Sequence, residues 1–552
     1  MDNILIIEDN TTNIAKALGV KNRLVYFNQS TDEKITDWLL KGIENLGNIS
    51  QTIKKIILPC RIGTDDNSFT GIHIGLHIRL TKKLSENIRF ASIVFLSAET
   101  REEIVEDMLE QNNKNGLFLF TGGVSITEEL DIARTMPLEL INQEIFNKEV
   151  LPALAIEQQK DKGHQLANEW GAFRLAKFAG YRLSIPEPSD LFFKYKDALT
   201  QNETEITDDG KIGLLNIKCD ALLIDDQAFK GWSDALGFIL KKKIINPNKS
   251  SKLTVITSFE EANAISSFQE YDVIFLDIRL FPEEDKSNKI VDIEEYSGTK
   301  ILKKIKNENR GTQVIIFTAS NKIWNIDKLK SLGADGYYIK ESPEYVLSSK
   351  FSKDNFEGLK KSIEKTLQKM PLRDIYKKIE ANKSKLNQLK KTRAIDNDFS
   401  KFMTIQFDLT YSLIERANNR NDFAIAYIML FKCIEMINEY YVIENSNVWT
   451  IPKISGDDKL KRYSFNSTEN PNYFESKPTT FEKIAGLGIQ YLGLTPNQIW
   501  KLRWNIFRRN EFIHPDKKQL TEKEEFEKNK IYSFEGFVEL LESINNIIIN
   551  LK

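Results

Sequence analysis

Cysteine and histidine are both scarce in this chain of 552 residues, which has 3 of the first and 4 of the second. The cysteines, Cys60, Cys219 and Cys433, lie far apart and form no Cys-x-x-Cys pair, which argues against a disulfide framework or a zinc knuckle. Glycine and proline are few, at 26 and 14 residues, so long flexible linkers are not expected. The apolar runs are too short to cross a bilayer, which needs about 20 residues, so we expect no membrane segment.

An excess of charge of one sign is also missing, because 77 lysines and arginines face 79 aspartates and glutamates, for a net charge of −2. A near-neutral chain is not a general polyanion binder, so any nucleic-acid contact must come from a local patch. The start of the chain is acidic rather than basic and does not read as a signal peptide. Together with the few cysteines and the short apolar runs, this predicts a cytoplasmic protein. At ~150 residues per domain, the length predicts three or four domains.

Residues 216–350 contain short apolar runs that each end at or near a polar residue. The runs are 221–226, 271–277, 313–319 and 336–340, and amphipathic stretches separate them. This alternation predicts a parallel sheet covered by helices on both faces. Polar residues at the carboxyl ends of such strands meet in one crevice. Here they are two adjacent aspartates, a lone aspartate, a threonine and a lysine: Asp225, Asp226, Asp277, Thr318 and Lys340.

This set of side chains closely resembles the receiver domain of response regulators. The resemblance implies that Asp277 accepts a phosphoryl group from a sensor histidine kinase, and that Thr318 and Lys340 bind the new phosphate. Tyr337, three residues before the lysine, matches the aromatic switch residue of the family. The implied ligands of a Mg²⁺ ion are Asp225, Asp226 and Asp277, and carboxylates are the ligands that this ion prefers.

Two features of residues 216–350 depart from the family pattern. The loop after Asp277 is long and acidic over 282–295, and Arg279 occupies the position whose backbone usually helps to hold the metal. The resemblance still implies active phosphoacceptance, because all five polar positions are filled. The alternative is a degenerate receiver that only binds partners.

Residues 1–135 look like a worn copy of the same unit. Ile4–Asp9 repeats the strand with its pair of acids, and Ser92–Ala98 repeats the strand that ends near a hydroxyl. The third strand, 55–60, has no carboxylate at its end, and the fifth, expected at 116–120, leads to no lysine. We therefore expect a pseudo-receiver used for docking or dimerisation, with an unrelated α/β domain as the alternative.

Two further stretches read as helical connections. Residues 136–215 include His164, which is loosely similar to the acceptor of histidine phosphotransfer modules, although a packing helix is the simpler interpretation. Residues 351–395 read as a basic helical linker that Pro371 interrupts, a connecting rod that pairs with its copy in a dimer.

Residues 396–552 read as an all-α bundle. Arg509 and His514 fit the R-x4-H pattern of the HEPN family of small helical bundles, many of which are ribonucleases. The resemblance implies metal-independent RNA cleavage at a site shared by a homodimer. His514 would act as general acid or base, Arg509 would stabilise charge at phosphorus, and Asn510 would orient the phosphate or the histidine. Pro515 predicts that His514 lies at a helix end.

The predicted fold is therefore multidomain α/β plus all-α, with two flavodoxin-like receiver-type sheets, helical connectors and a C-terminal bundle. The predicted function is a response-regulator-like effector that controls a ribonuclease, in a stress or phage-defence setting. Arg503 and Arg508 would add a basic patch for RNA, and Glu435 with Lys432 reads as a structural pair. The alternative is a non-enzymatic two-component adaptor whose helical bundle binds a protein partner.

Overall fold

The structure is a computed structural model in which two parallel sheets and a helical region are built from separate parts of the chain. The described residues are 3–9, 12–20, 23–27, 34–63, 68–157, 165–181, 183–184, 187–200, 219–240, 244–245, 253–281, 284, 292–319, 323–343, 349–445, 448–456, 458–460, 477–514 and 519–551. His164, Pro515 and most of the acidic loop after Asp277 lie outside these residues. Among the helices that are described, none is both long and apolar enough to cross a membrane.

The N-terminal unit is a five-stranded parallel sheet in the order β2-β1-β3-β4-β5, which is the order of flavodoxin-like folds. Its strands are β1 (Ile4–Glu8), β2 (Leu24–Tyr26), β3 (Lys55–Pro59), β4 (Ser92–Leu96) and β5 (Val124–Thr127). Its helices are α1 (Ile14–Ala17), α2 (Ile35–Asn45), α3 (Thr70–Leu80), α4 (Glu86–Arg89), α5 (Arg101–Glu110) and α6 (Leu130–Thr135). Every residue of β1 and β3 is buried, which explains their nearly unbroken apolar sequence.

The fifth strand predicted at 116–120 is wrong. Those residues lie in the 3₁₀ helix Lys114–Phe120, and the strand is Val124–Thr127. Phe118 and Leu119 of this helical turn are buried, so the apolar run packs in the core without being part of the sheet. A short apolar run fits a buried strand and a buried helical turn equally well, and periodicity does not separate them.

The connector contains α7 (Gln143–Ile145), α8 (Leu151–Ala153), α9 (Gln165–Phe178) and α10 (Glu187–Leu199). Helix α9 is buried on two sides. Leu166 and Trp170 belong to the core of the N-terminal unit, whereas Leu175 and Ala176 belong to the core under the second sheet. The helix therefore joins the two α/β units, as the simpler interpretation of this stretch expects.

The second sheet has six parallel strands in the order β11-β10-β9-β6-β8-β7. They are β6 (Ala221–Ile224), β7 (Ile244–Ile245), β8 (Leu253–Ile256), β9 (Val273–Leu276), β10 (Val314–Thr318) and β11 (Gly336–Ile339). The helices are α11 (Ser233–Ile239), α12 (Phe259–Ala264), α13 (Ser297–Glu308), α14 (Ile323–Ser331) and α15 (Ser349–Gln368). Both predicted parallel sheets are confirmed; β7 and β8 are additional strands that the sequence patterns did not single out.

The C-terminal region packs around one apolar core that runs from Leu372 to Leu551. Its helices are α16 (Pro371–Lys391), α17 (Asn397–Arg416), α18 (Arg420–Tyr441), α19 (Pro452–Ser455), α20 (Thr480–Gln490), α21 (Pro496–Ile513), α22 (Glu522–Asn529) and α23 (Phe534–Asn550). An antiparallel pair, β12 (Ile443–Asn445) and β13 (Val448–Thr450), interrupts an otherwise helical region that was predicted to be all-α.

The linker predicted at 351–395 does not stand apart from its neighbours. Leu359 and Ile363 of α15 are buried in the core under the second sheet, against β11. Ile379 and Leu386 of α16 are buried in the C-terminal core, where α16 packs on α17 and α23. The apolar stripe that was expected to pair with a second copy is thus used within the chain, because it matches the apolar faces of its own neighbours.

Candidate functional site

Asp225 and Asp277 lie side by side at the carboxyl edge of the second sheet. Strands β6 and β9 pair in register up to Ile224 and Leu276, so the next residue of each strand is an aspartate. Asp225 is fully buried, Asp277 is buried, and the neighbouring Asp226 is half-buried. One carboxylate oxygen from each of the three aspartates lies within 4.8 Å of the other two. The structure therefore brings the predicted acid cluster together.

Lys340 enters this cluster from β11. Its backbone N–H donates to the Thr318 carbonyl at 2.6 Å, which places Thr318, itself buried, at the same edge. The Lys340 Nζ lies 2.8 Å from Asp225 Oδ2 and also pairs with Asp277. Burial raises the pKa of Asp225 to about 7, against the pull of the ammonium. Burial alone lowers the pKa of Lys340, but the two carboxylates outweigh it and raise that pKa above its ordinary value.

Two aromatic rings complete the surroundings of Lys340. Its Nζ lies 5.4 Å from the centroid of the Trp232 ring and 5.7 Å from that of Phe317, within the range of cation–π contacts. The buried Trp232 donates its Nε1–H to Asn168 Oδ1 at 3.0 Å, so it links the cluster to helix α9. Sequence patterns placed Asn168 on one helix face with His164 but missed its contact with Trp232, because the two residues belong to different stretches and meet only in the folded chain.

Tyr337 lies on the outer side of β11. It is 38% exposed, and the Lys330 Nζ lies 5.1 Å from its ring centroid, whereas the next residue, Tyr338, is buried. Alternation along a strand sends successive side chains to opposite faces. The position expected for the aromatic switch residue is therefore filled by a ring that solvent reaches.

The three carboxylates fit a Mg²⁺ ion by the chemistry of their donor atoms. Hard oxygen ligands suit this ion, which keeps several waters and needs few protein ligands. Asp225, Asp226 and Asp277 are the residues that would hold it. Arg279 directs its backbone N–H at Asp277 Oδ1, 3.3 Å away.

The carboxyl edge of the N-terminal sheet carries different residues. Two glycines, one in each unit, show which positions of the two edges correspond. A Cβ added to Gly71, the second residue of α3, would lie 1.8 Å from the Pro59 carbonyl oxygen. A Cβ added to Gly298, the second residue of α13, would lie 1.9 Å from the Asp277 carbonyl oxygen. Pro59 therefore takes the place of the candidate phosphoacceptor.

The remaining positions of the N-terminal edge follow from strand register. Ser97 takes the place of Thr318, and Glu129, two residues after the end of β5, takes the place of Lys340. Glu8 and Asp9 repeat the acid pair, but Glu8 Oε2 accepts from the backbone N–H of Ala15 at 3.1 Å. This edge has neither an acceptor carboxylate nor the lysine.

Residues 2–127 match the family model described as the inactive receiver domain. The match confirms the prediction of a receiver-like N-terminal unit without phosphoacceptor chemistry, and it places a module of response-regulator-type signalling in this chain. No curated protein matches the sequence.

The candidate nuclease residues lie at the end of helix α21. His514 is the C-cap of this helix, as the following proline predicted, and its side chain is exposed. The Arg509 Nη2 lies 2.8 Å from Glu435 Oε1, and its Nη1–H donates to Asn510 Oδ1 at 3.2 Å. Glu435 keeps its expected pairing with Lys432 at 3.1 Å, but its contact with Arg509 was not foreseen.

Arg508 does not belong to a basic surface, contrary to prediction. Its side chain is 1% exposed and lies 2.5 Å from Glu539 Oε2, with a further ion pair to Glu527. It also donates to Asn505 Oδ1 at 3.0 Å. The side chain faces the interior of the bundle, so it holds α22 and α23 against α21 and offers no group to a phosphate. Arg503 is exposed.

Proposed function

We propose that this protein is a response-regulator-type effector that accepts a phosphoryl group on Asp277 from a sensor histidine kinase. The observation that carries the proposal is the buried Lys340 ammonium between Asp225 and Asp277, with Thr318 at the same edge. An ammonium that already pairs with two carboxylates is positioned to pair with a phosphate oxygen once the acceptor carboxylate is phosphorylated. The matching edge of the inactive unit has Glu129 in the lysine position, so the two units would divide phosphoacceptance and docking between them.

In the proposed transfer, an oxygen of Asp277 attacks the phosphorus of the kinase phosphohistidine. A P–O bond forms, the P–N bond breaks, and the released imidazole nitrogen keeps the electron pair and takes a proton from solvent. Lys340 and Thr318 then bind oxygens of the acyl phosphate through charge-assisted hydrogen bonds. A Mg²⁺ ion held by Asp225, Asp226 and Asp277 would offset negative charge on the phosphoryl oxygens.

The proposed output is metal-independent RNA cleavage by the C-terminal bundle in a homodimer, in the setting of stress or phage defence. His514, exposed at a helix end, would move the proton of the 2′-hydroxyl or of the leaving oxygen. Arg509 would stabilise the added charge at phosphorus, with Asn510 orienting it. Because Glu435 already engages Arg509, binding of a phosphate group has to displace that ion pair.

The same ion pair favours the second candidate function, a non-enzymatic adaptor whose bundle binds a protein. An arginine whose charge is already neutralised by a carboxylate can hold α21 against α18 without taking part in catalysis. In the adaptor, Asp277 still accepts phosphate, but Arg509, Asn510 and His514 only shape a binding surface.

The deciding experiment treats the full chain with acetyl phosphate and Mg²⁺ and follows both acyl phosphate and single-stranded RNA. We expect phosphate on the wild type, none on Asp277→Asn, and RNA cleavage that His514→Ala abolishes. Intact RNA with and without phosphate on Asp277 would reject the ribonuclease in favour of the adaptor. Absence of acyl phosphate on the wild type would reject both.

A further inference from the structure

Helix α21 carries a strip of aromatic rings on its outer face. Trp500, Trp504 and Phe507 are spaced at i, i+4 and i+7, which places them on one side of the helix. Their ring centroids are separated by 6.0 Å and 5.5 Å along the strip, and successive rings meet edge to face, at 85° and 89°. Trp500 is 41% exposed, and the other two rings are half-buried. Single exposed rings are common on protein surfaces, whereas a contiguous row of large rings is a feature of interaction sites.

Two exposed cations lie over these rings. The guanidinium carbon of Arg503 is 5.3 Å from the Trp500 centroid, and the Lys523 Nζ is 5.9 Å from Trp500 and 5.6 Å from Trp504. Acids are close as well, because the first turn of α22 carries Glu522, Glu524 and Glu525. The Glu524 carboxylate is engaged in capping its own helix at Thr521.

The strip leads towards the candidate catalytic histidine. His514 follows Phe507 by seven residues, which is about two helical turns, so it lies at the end of the same side of α21. Glu511 lies between them, largely buried and 4.0 Å from Lys528. A ligand lying along the rings would therefore reach the C-terminal end of the helix at His514.

We propose that Trp500, Trp504 and Phe507, with Arg503 and Lys523, form a stacking platform for unpaired bases of single-stranded RNA. This inference rests on the proposed ribonuclease function and supplies its substrate-binding surface. Rings turned edge to face and set beside cations suit the splayed bases of a single strand, because each ring stacks a base of its own and the cations meet the backbone. A duplex hides those faces, so the platform selects unpaired RNA.

The test measures binding apart from cleavage. Full-length His514→Ala protein is titrated into a fluorescent oligouridine about a dozen nucleotides long, and binding is read by anisotropy. We expect Trp500→Ala and Trp504→Ala to weaken binding by about tenfold each, whereas Trp500→Phe keeps most of it. Arg503→Gln reduces the salt dependence of the logarithm of affinity by about 1. A circular-dichroism melt checks that each variant folds.

Phe402→Ala on α17 is the matched control, because Phe402 is also an exposed ring of the bundle, at 57% exposure, but lies outside the strip. It should leave RNA affinity unchanged. Equal binding by wild type and folded Trp500→Ala/Trp504→Ala protein overturns the platform, as does preference for duplex RNA or for an acidic peptide. Ring-dependent binding in a chain that never cleaves RNA rejects the nuclease and keeps the platform. RNA cleavage that is unchanged when the two tryptophans are replaced rejects the platform alone.

Discussion

The five strands of the first sheet, β2-β1-β3-β4-β5, correspond to β8-β6-β9-β10-β11 of the second, which adds β7 beyond β8, but the two sheets differ at their carboxyl edges. The second edge brings Asp277 and Lys340 together, whereas Pro59 and Glu129 stand in the same positions of the first. Both units keep the glycine that lets a helix begin against the strand end. The scaffold is thus preserved where its chemistry is absent.

The difference shows that this fold keeps its core when the residues of its polar edge change. The strands hold together through buried apolar side chains on both faces of each sheet, and the edge residues add little to that core. Arg174 of α9, which is buried, lies 2.8 Å from Asp197 of α10 and 3.4 Å from Glu341 of the second unit. Glu341 directly follows Lys340, so the connector touches the segment that carries the lysine.

The largest expected effect separates the two edges completely. Asp277→Asn should abolish phosphate incorporation from acetyl phosphate with Mg²⁺, measured on a phosphate-affinity gel. Pro59→Asp, which places a carboxylate at the matching position, should gain no phosphate, because Glu129 stands where the lysine is needed. Phosphate on the Pro59→Asp/Asp277→Asn protein would show that the first edge lacks only its acceptor.

The second prediction compares the residues that occupy the lysine position. Lys340→Met leaves two buried carboxylates without their cation, which should lower the free energy of unfolding by about 3 kcal/mol in chelator. Added Mg²⁺ should recover part of the loss. Glu129→Gln, at an exposed position, should change stability by less than about 0.5 kcal/mol. The free energy of unfolding of both variants is measured by urea denaturation, from the first unfolding transition that the chain shows.

The pH dependence of the Lys340→Met loss has a definite sign. Asp225 has a raised pKa in the folded chain, so the folded state binds its proton more tightly than the unfolded state. Because of such a group, the free energy of unfolding falls as the pH rises from about 4, the pKa of an aspartate in the unfolded chain, towards 7. Without the lysine this cost grows, so the deficit should be smaller at pH 5 than at pH 7. A deficit that is equal at both pH values would contradict the burial argument.

Much of this comparison was predictable from sequence, for physical reasons. Asp277 and Lys340 each follow an apolar run, and parallel strands bring such residues to one edge. The ring contact of Lys340 was not predictable in this way, because Trp232 comes from the helical turn before α11 and the acceptor of its N–H, Asn168, comes from α9. Arg508 was assigned to the wrong side because charge alone does not show which face of a helix is buried.

The third prediction tests what the two units share. Gly71→Ala and Gly298→Ala each force a methyl group against a strand-end carbonyl, so each should destabilise its own unit by about 1–3 kcal/mol. Only Gly298→Ala should also slow phosphorylation, because the displaced carbonyl belongs to Asp277. Gly358→Ala, in the exposed middle of α15 with nothing within 4 Å of the added methyl group, is the control and should stabilise its unit by about 1 kcal/mol without changing the phosphorylation rate. Equal effects on phosphorylation would mean that the units act as one.

The smallest effect concerns the contact between α9 and the candidate site. Asn168→Ala removes the acceptor of the buried Trp232 Nε1–H, which should cost about 1–2 kcal/mol of unfolding free energy. Asn168→Asp keeps an acceptor oxygen and should lose less. If α9 only holds the units together, the phosphorylation rate of folded Asn168→Ala stays at the wild-type value. A changed rate would mean that Trp232, freed from α9, no longer holds the Lys340 ammonium, and that the connector helix influences the acceptor through this one hydrogen bond.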